Sequence, residues 1–270
     1  MRITICILIL VSIISGCKDN SQPKKKRKSP NDIPQIYYTV VNEFPHSTKS
    51  FTEGLLFHNR DLFESTGSPE NLPETKSVFG ILNLETGEID VKQELNRDKY
   101  FGEGIAIFNN KVYQLTYHKQ TCFVYDLKTF ENVAKFLYPN KEGWGLTTDG
   151  KNLIMSDGTN KLSYINPVNF EKIKTLNVTA NNYEIDYLNE LEYIKGFIYA
   201  NVLPTNKIIR IDPKNGDVVG VMDLTLLQSI AFSDNPEIDV TNGIAYDSIT
   251  GNIFVTGKMW PKIYELEILN

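Results

Sequence analysis

The feature that most constrains the fold is a repeat. A short apolar strand with a glycine or apolar residue at its start recurs five times, beginning near residues 53, 103, 144, 190 and 242. A second apolar strand follows each of the first four copies and ends in a turn, at Asn83, Asp126, Asn166 and Asp212. These turn residues are 43, 40 and 46 residues apart, which matches the roughly 40 to 50 residues of one β-propeller blade. The spacing predicts an all-β chain with one four-stranded blade per repeat.

The two ends of the repeat array are unequal. The last repeat supplies only three strand-like runs before the chain stops, at residues 242–246, 253–256 and 263–266. A spare strand-like run at residues 37–44 precedes the first repeat. That strand would complete the last blade and cover its exposed edge. We therefore predict a five-bladed β-propeller whose ring is closed by the N-terminal strand; an open sandwich or several small domains would leave the spare strand unexplained.

The N-terminal residues have the pattern of an exported lipoprotein. Arg2 precedes an apolar run at residues 5–14, which is shorter than the roughly 20 residues of a spanning helix. Small residues then precede Cys17, as in a bacterial lipobox. The alternative is an ordinary signal peptide with a chance cysteine. We expect a signal peptide and lipobox at residues 1–17 with Cys17 lipidated, a basic flexible tether at 18–34, and a propeller at 35–270.

Charge and cysteine content narrow the class of partner. The first 32 residues carry a formal net charge of +5 and the rest of the chain −10. The acidic propeller argues against nucleic acid as a partner. The basic run at residues 24–28 is expected to be a solvated spacer that favours anionic headgroups. After processing, Cys122 is the remaining unmodified cysteine, so an internal disulfide is excluded. We expect a monomer, exported and lipid-anchored at the bacterial cell envelope.

The same residues that mark the repeats predict a polar site. In a propeller the first strand of each blade lines the central channel, so equivalent repeat positions converge on the axis. The side chains at these positions are three carboxylates, two amides and an indole: Glu53, Glu103, Trp144, Asn189, Glu190 and Asn242. Any one of them could cap a strand or bind a neighbouring backbone. Together they would desolvate and repel one another, which packing alone gives no reason to tolerate.

Extended motifs give the sequence a family resemblance. Asn42-Glu43-Phe44-Pro45-His46 and Phe51-Thr52-Glu53-Gly54-Leu55 resemble the opening motifs of the plant-type glutaminyl cyclases. Further similar motifs follow in family order at residues 63–67, 101–104, 143–150, 156–159, 188–193, 242–245 and 255–262. The resemblance covers residues 37–266. It implies a propeller enzyme that closes the N-terminal glutamine of a peptide or protein into pyroglutamate and releases ammonia.

The resemblance also implies roles for particular residues. Glu103 matches the essential carboxylate of the family, and Asn189 and Lys258 match its other polar active-site residues. For binding the substrate, the implied set is Phe51, Glu53, Phe101, Tyr117, Trp144, Glu190 and Asn242. The family commonly has glutamine at the position of Glu53 and tryptophan at those of Tyr117 and Leu203. The departure at Glu53 leaves two roles open: to bind the substrate α-ammonium, or to replace glutamine in a structural hydrogen bond.

The chemistry suits these residue types. Cyclisation needs a base that moves a proton from the attacking α-amine to the leaving nitrogen, donors for an oxyanion, and a wall that excludes water. No cofactor is needed for these steps, and His46, His58 and His118 lack metal-ligand spacing. Asp side chains and backbone oxygens leave room for a structural calcium ion. Two alternatives stay open: a catalytically silent propeller that binds peptides or amines, and a metal-dependent propeller hydrolase that chelation would inactivate.

Overall fold

Five antiparallel sheets form the body of the protein. The computed structural model describes residues 33–269, and four of the sheets are built from consecutive strands. The first blade contains β2 (Phe51–His58), β3 (Asp61–Gly67), β4 (Val78–Leu82) and β5 (Ile89–Glu94). The second contains β6 (Gly102–Phe108), β7 (Lys111–Thr116), β8 (Thr121–Asp126) and β9 (Asn132–Leu137). The third contains β10 (Leu146–Thr148), β11 (Leu153–Met155), β12 (Lys161–Ile165) and β13 (Lys172–Asn177). The fourth contains β16 (Leu188–Ile194), β17 (Phe197–Val202), β18 (Lys207–Ile211) and β19 (Val218–Asp223).

The fifth blade closes the ring in the predicted way. Its strands are β20 (Thr241–Tyr246), β21 (Ile253–Gly257), β22 (Lys262–Ile268) and β1 (Tyr38–Pro45), in the spatial order β1-β22-β21-β20. Strand β1 pairs antiparallel with β22, so that Val40 faces Leu266 and Phe44 faces Ile263. The innermost strands β2, β6, β10, β16 and β20 each contact the next one around the ring. The predicted five-bladed β-propeller is confirmed. The predicted segment at residues 1–17 lies outside the described residues, as does the predicted tether at 18–34 except for its last two residues.

The turn residues that set the repeat spacing have a local cause. Asn83, Asp126, Asn166 and Asp212 each accept a hydrogen bond at Oδ1 from the backbone N–H two residues further on, at 2.8 or 2.9 Å. This side-chain contact stabilises a tight turn, which is why Asn and Asp are favoured there. Each turn joins the third strand of a blade to the fourth, so the same residue type marks the same place in four blades.

The core lies between the blades. Within the described residues the buried apolar side chains form five clusters, and each cluster joins two neighbouring blades. Leu55 and Ala245, for example, belong to the cluster between the first and fifth blades, and Phe63 and Ile105 to that between the first and second. Because every blade buries both faces against neighbours, none has a core of its own and the ring must close to bury all five interfaces.

Glycines permit the close approach of the inner strands. A Cβ on Gly104 would lie 2.5 Å from the carbonyl oxygen of Trp144, and one on Gly145 would lie 2.0 Å from that of Asn189. These are backbone atoms that cannot move aside, so both positions require glycine. The glycine that follows Glu103 and the one that follows Trp144 therefore allow the backbone of the next blade to pack directly against the inner strand.

Two elements fall outside the repeat pattern and were not predicted. One is a hairpin of β14 (Thr179–Ala180) and β15 (Tyr183–Glu184) before the fourth blade. The other is α1 (Thr225–Asp234), which packs Leu227 and Ala231 into the cluster between the fourth and fifth blades. Two buried residues in ten give too weak a periodicity to recognise from sequence. Among the described residues, no helix is both long enough and apolar enough to cross a membrane.

Candidate active site

A cavity opens on the propeller axis where the inner strands begin. Its volume is about 600 Å³. Eight of the ten predicted propeller residues line its wall: Phe51, Glu53, Phe101, Glu103, Tyr117, Trp144, Asn189 and Lys258. Strands β2, β6 and β16 supply Glu53, Glu103 and Asn189 from their first residues, and Lys258 follows the end of β21. The ring thus brings together side chains from five blades.

Glu103 is a buried carboxyl of the cavity that receives no hydrogen bond from the described residues. The residue is 4% exposed and lines the cavity. Its backbone carbonyl accepts a hydrogen bond from Ser65 Oγ at 2.6 Å, whereas no side-chain or backbone donor among the described residues reaches its carboxyl oxygens. Burial raises the pKa of the Glu103 carboxyl well above its usual range, repulsion from Glu53 raises it further, and Lys258 opposes the shift.

Glu53 lines the same cavity, but both of its carboxyl oxygens accept hydrogen bonds from the protein. Lys258 Nζ donates to Glu53 Oε1 at 2.7 Å, and Asn242 Nδ2 donates to Oε2 at 3.1 Å. The Glu53 and Lys258 side chains are 2% and 9% exposed, so the ion pair is almost fully buried. Lys258 also lies 4.5 Å from the centre of the Phe51 ring. Burial raises the pKa of the Glu53 carboxyl to about 7, and the charge and hydrogen bond of Lys258 oppose that rise.

Asn189 has an acceptor with no partner. The residue is 2% exposed, and its side-chain Oδ1 is buried with no hydrogen bond from any described residue. Its backbone carbonyl is fixed by Ser156 Oγ at 2.7 Å. A buried unpaired amide oxygen costs about 1–3 kcal/mol. The amide is therefore held at the cavity wall at a cost to stability that a bound polar group would relieve.

Aromatic rings form a continuous wall beside these groups. Phe51 meets Phe101 edge to face with ring centres 6.1 Å apart, Phe101 lies 6.0 Å from Tyr117, and Tyr117 lies 6.4 Å from Trp144. Leu203 lines the cavity as well. The two positions at which the plant-type cyclases commonly have tryptophan, Tyr117 and Leu203, are thus both on the cavity wall.

Two of the predicted substrate-binding residues, Glu190 and Asn242, do not line the cavity and bond other parts of the protein. Glu190 points into the channel interior, where its carboxyl accepts the backbone N–H groups of Leu55 at 3.2 Å and Ile244 at 2.9 Å. Asn242 bonds the carbonyl oxygen of Thr52 at 2.9 Å as well as Glu53. Glu190 therefore joins three inner strands, and Asn242 supports Glu53 from behind.

The structure adds residues at the rim that the sequence did not single out. Glu142 accepts a hydrogen bond from the indole Nε1 of Trp144 at 2.9 Å and lies 3.7 Å from His118 Nδ1. Arg97 donates to four backbone carbonyls of the segment 69–75, including that of Thr75 at 2.7 Å. Glu142 stands two residues before Trp144, but nothing in that spacing says which way its side chain turns.

The three histidines do not converge. His46 is buried between the carbonyl of Trp260, 2.7 Å from Nδ1, and the carboxyl of Glu64, 3.1 Å from Nε2. His118 is on the cavity rim, and His58 is the last residue of β2. Within residues 33–269, no cluster of three or more His, Cys, Asp or Glu side chains has the arrangement of a metal site.

These features define a class of protein: a closed five-bladed propeller with an axial cavity that holds two buried glutamates, a lysine and an asparagine beside an aromatic wall. The model of the glutamine cyclotransferase family matches residues 8–268. A glutaminyl-peptide cyclotransferase of Arabidopsis thaliana is 41% identical over 231 residues, which are 85% of this chain and 70% of that protein. The crystal structure of Myxococcus xanthus glutaminyl cyclase superposes with a TM-score of 0.79 at 32% identity, over 88% of this chain and all of that one. The chain belongs to the glutamine cyclotransferase family.

Proposed function

We propose that this protein is a glutaminyl-peptide cyclotransferase that converts the N-terminal glutamine of peptides or proteins to pyroglutamate. The observation that carries the proposal is the Glu103 carboxyl, buried in the cavity without a donor from the protein and beside Asn189 and Lys258. Membership of the family supports the same reaction. The product is an intramolecular amide, so the class of reaction is acyl transfer to the substrate's own amine.

The reaction needs one proton to move between two nitrogens of the substrate. The neutral α-amine attacks the γ-carboxamide carbon, forming the new C–N bond and a tetrahedral oxyanion. Glu103 takes the proton that the attacking nitrogen must lose and returns it to the amide nitrogen, whose bond to carbon then breaks to release ammonia. Nucleophile and electrophile belong to one residue, so no covalent enzyme intermediate is needed.

Glu103 is suited to this transfer by its environment. An α-amino group has a pKa of about 7.7–8.0, whereas a free glutamate carboxyl is near 4.3. Burial raises the pKa of the Glu103 carboxyl well above its usual range, which makes its carboxylate a stronger base toward the amine. Proton transfer in both directions is easiest when the two pKa values are close.

Asn189 and Lys258 are the proposed donors to the oxyanion. Lys258 uses one of its three N–H bonds on Glu53, which leaves two for the cavity. Removing one preorganised donor of this kind typically costs roughly 3–4 kcal/mol of transition-state stabilisation. The Asn189 side chain can also accept a hydrogen bond from the substrate through its unpaired Oδ1.

The aromatic wall is proposed to hold the glutamine side chain and to exclude water. The rings of Phe51, Phe101, Tyr117 and Trp144 border the cavity on one side. Excluding water prevents hydrolysis of the amide from competing with attack by the amine.

We also propose that the reaction needs no zinc or other cofactor. The proton carrier and oxyanion donors of the mechanism are all side chains of the cavity wall. Ammonia release should therefore persist after dialysis against EDTA. Loss of ammonia release on chelation that zinc restores would contradict this proposal, whereas restoration by calcium would indicate the structural calcium ion that the sequence leaves room for.

The cellular place of the enzyme is a separate proposal that rests on sequence. Residues 5–14 and Cys17 have the pattern of a lipoprotein signal, and the basic run at 24–28 follows it. We propose a monomer anchored through Cys17 at the cell envelope, acting on exported peptides. Metabolic labelling with a palmitate analogue should label the wild type and not Cys17→Ala.

The direct experiment uses the purified full chain and a dipeptide that begins with glutamine. We expect one ammonia and one pyroglutamyl product per peptide. The matched dipeptide that begins with asparagine is the control, since its shorter side chain would require a strained four-membered ring. Binding of the glutaminyl dipeptide without turnover by the folded protein would favour the silent binding propeller, the alternative that the departures at Glu53, Tyr117 and Leu203 leave open.

A further inference from the structure

Both carboxyl oxygens of Glu53 are occupied by donors of the protein. Lys258 bonds Oε1 at 2.7 Å and Asn242 bonds Oε2 at 3.1 Å. Asn242 is itself fixed by a second hydrogen bond to the carbonyl of Thr52 at 2.9 Å. Asn242, Glu53 and Lys258 therefore form a chain of contacts that sets the position of the lysine ammonium.

The same cavity contains a second buried carboxyl, Glu103, which receives none of these donors. Of the described residues that line the cavity and are buried, Lys258 is the one cation, and it makes its ion pair with Glu53. Two carboxyls compete for one positive charge, and the geometry assigns it to Glu53. Glu103 makes no ion pair with any described residue, and Lys258 acts on it only from a distance.

We propose that Glu53 is a positioning residue of the reaction: it holds the Lys258 ammonium beside Phe51 and withholds that charge from Glu103, which stays basic enough to accept the proton of the substrate amine. The proposal rests on the proposed function. Of the two roles that the sequence left open for Glu53, it takes the structural one, because both carboxyl oxygens already accept donors of the protein and the side chain is 2% exposed.

The electrostatics of the cavity have the required sign. The titratable groups that face Glu103 are Glu53, Lys258, Glu142, Tyr117 and Tyr138. After burial, repulsion from Glu53 is the largest contribution that raises the pKa of Glu103, and Lys258 opposes it. Glu53 is faced in addition by Asp239. With the Glu53 charge removed, Lys258 would act on Glu103 alone and lower its pKa.

The test is Glu53→Gln, which keeps the size of the side chain and removes its charge. Lys258 then faces Glu103 as an uncompensated cation, so the acid limb of kcat/KM should move to lower pH by about one unit or more. Because the carboxylate becomes a weaker base, kcat above that limb should fall roughly tenfold while KM stays within about threefold. A rise in KM with an unmoved limb would overturn the proposal and make Glu53 a substrate ligand.

Two further variants separate charge from position. Glu53→Asp keeps the charge. The pH at which its kcat/KM falls on the acidic side should therefore equal that of the wild type, even if kcat is lower. A limb that moves as far as in Glu53→Gln would contradict the electrostatic role. Glu265→Gln is the matched control, because Glu265 is also buried between two asparagine donors, Asn42 and Asn252, but does not line the cavity. Its limb should not move.

A second measurement needs no turnover. In the substrate-free wild type labelled with 13C at glutamate Cδ, lowering the pH should protonate Glu103 before Glu53, with the two signals assigned by their loss in Glu103→Gln and in Glu53→Gln. The opposite order would overturn the proposal. If the wild type shows this order but no turnover, the proposed function fails and the ion-pair arrangement stands; if it turns over with an unmoved limb in Glu53→Gln, the positioning role fails alone.

Discussion

The mouth and the interior of the central channel both contain buried glutamates, and they differ in how those glutamates are satisfied. Glu190, in the interior, is 1% exposed and accepts two backbone N–H groups from neighbouring inner strands. Glu103, at the mouth, is 4% exposed and its carboxyl receives no donor from the described residues. Burial raises the pKa of both carboxyls. The comparison shows that burial alone does not identify a reactive carboxyl; the hydrogen-bond donors around it separate a structural carboxyl from one left for the substrate.

The largest effect is expected at Glu103. Glu103→Gln removes the proton carrier, and kcat/KM for a glutaminyl peptide should fall by about 10³-fold, within the range of general acid–base catalysis. Steady-state ammonia release measures this. A loss of less than about tenfold would mean that the donor-free carboxyl is not the proton carrier.

The same variant should be more stable than the wild type at alkaline pH. A carboxyl whose pKa is raised in the folded state binds more protons there than in the unfolded state, so its contribution to stability is lost as pH rises from about 4.3 through the raised value. Gln does not titrate. The free energy of unfolding of Glu103→Gln relative to wild type, measured in urea, should therefore increase as the pH is raised; a constant difference would show that the Glu103 pKa is ordinary.

The next effect is expected at Asn189, on the same wall. Asn189→Ala removes a proposed oxyanion donor and should lower kcat by about 10²-fold with a smaller change in KM. It also removes the unpaired buried Oδ1. The free energy of unfolding should therefore fall by less than the stabilisation of the transition state does. An unchanged kcat with a raised KM would assign Asn189 to substrate binding alone.

At Glu190 the effect should be on stability and not on the reaction. In Glu190→Gln one side-chain oxygen still accepts, but the amide nitrogen cannot accept the second of the two N–H groups, from Leu55 and Ile244. We expect a loss of about 1–3 kcal/mol in the free energy of unfolding, with kcat/KM per folded molecule nearly unchanged. A large loss of activity at full stability would remove the distinction between the two ends of the channel.

The smallest effect is expected at the rim. Glu142→Ala removes the acceptor of the Trp144 indole N–H and the neighbour of His118. The aromatic wall should become less ordered, and KM should rise about fivefold, as expected for loss of one hydrogen bond worth about 1 kcal/mol, with kcat nearly unchanged. Lys76→Ala is the control, because Lys76 makes an exposed surface ion pair with Glu94.

The sequence could predict the ring and most of the cavity because both follow from the repeat. Equal spacing places the starts of the inner strands around one axis, which is why Glu53, Glu103 and Asn189 lie on one wall. It could not predict which carboxyl has donors. Glu190 bonds a backbone group 135 residues away, and Glu53 bonds a lysine 205 residues away. Such pairings depend on side-chain directions at the channel, and a repeat pattern carries no information about them.

The most direct measurement compares the two glutamates in one assay. Wild type, Glu103→Gln and Glu190→Gln are given the same glutaminyl peptide, and pyroglutamate formation is measured per folded molecule at a pH near 8, where the α-amine is substantially neutral. We predict that Glu190→Gln keeps a rate within about tenfold of wild type and that Glu103→Gln falls at least about a hundredfold below it. Equal rates for the two variants, or a faster Glu103→Gln, would contradict the assignment of the reaction to the donor-free carboxyl at the mouth of the channel.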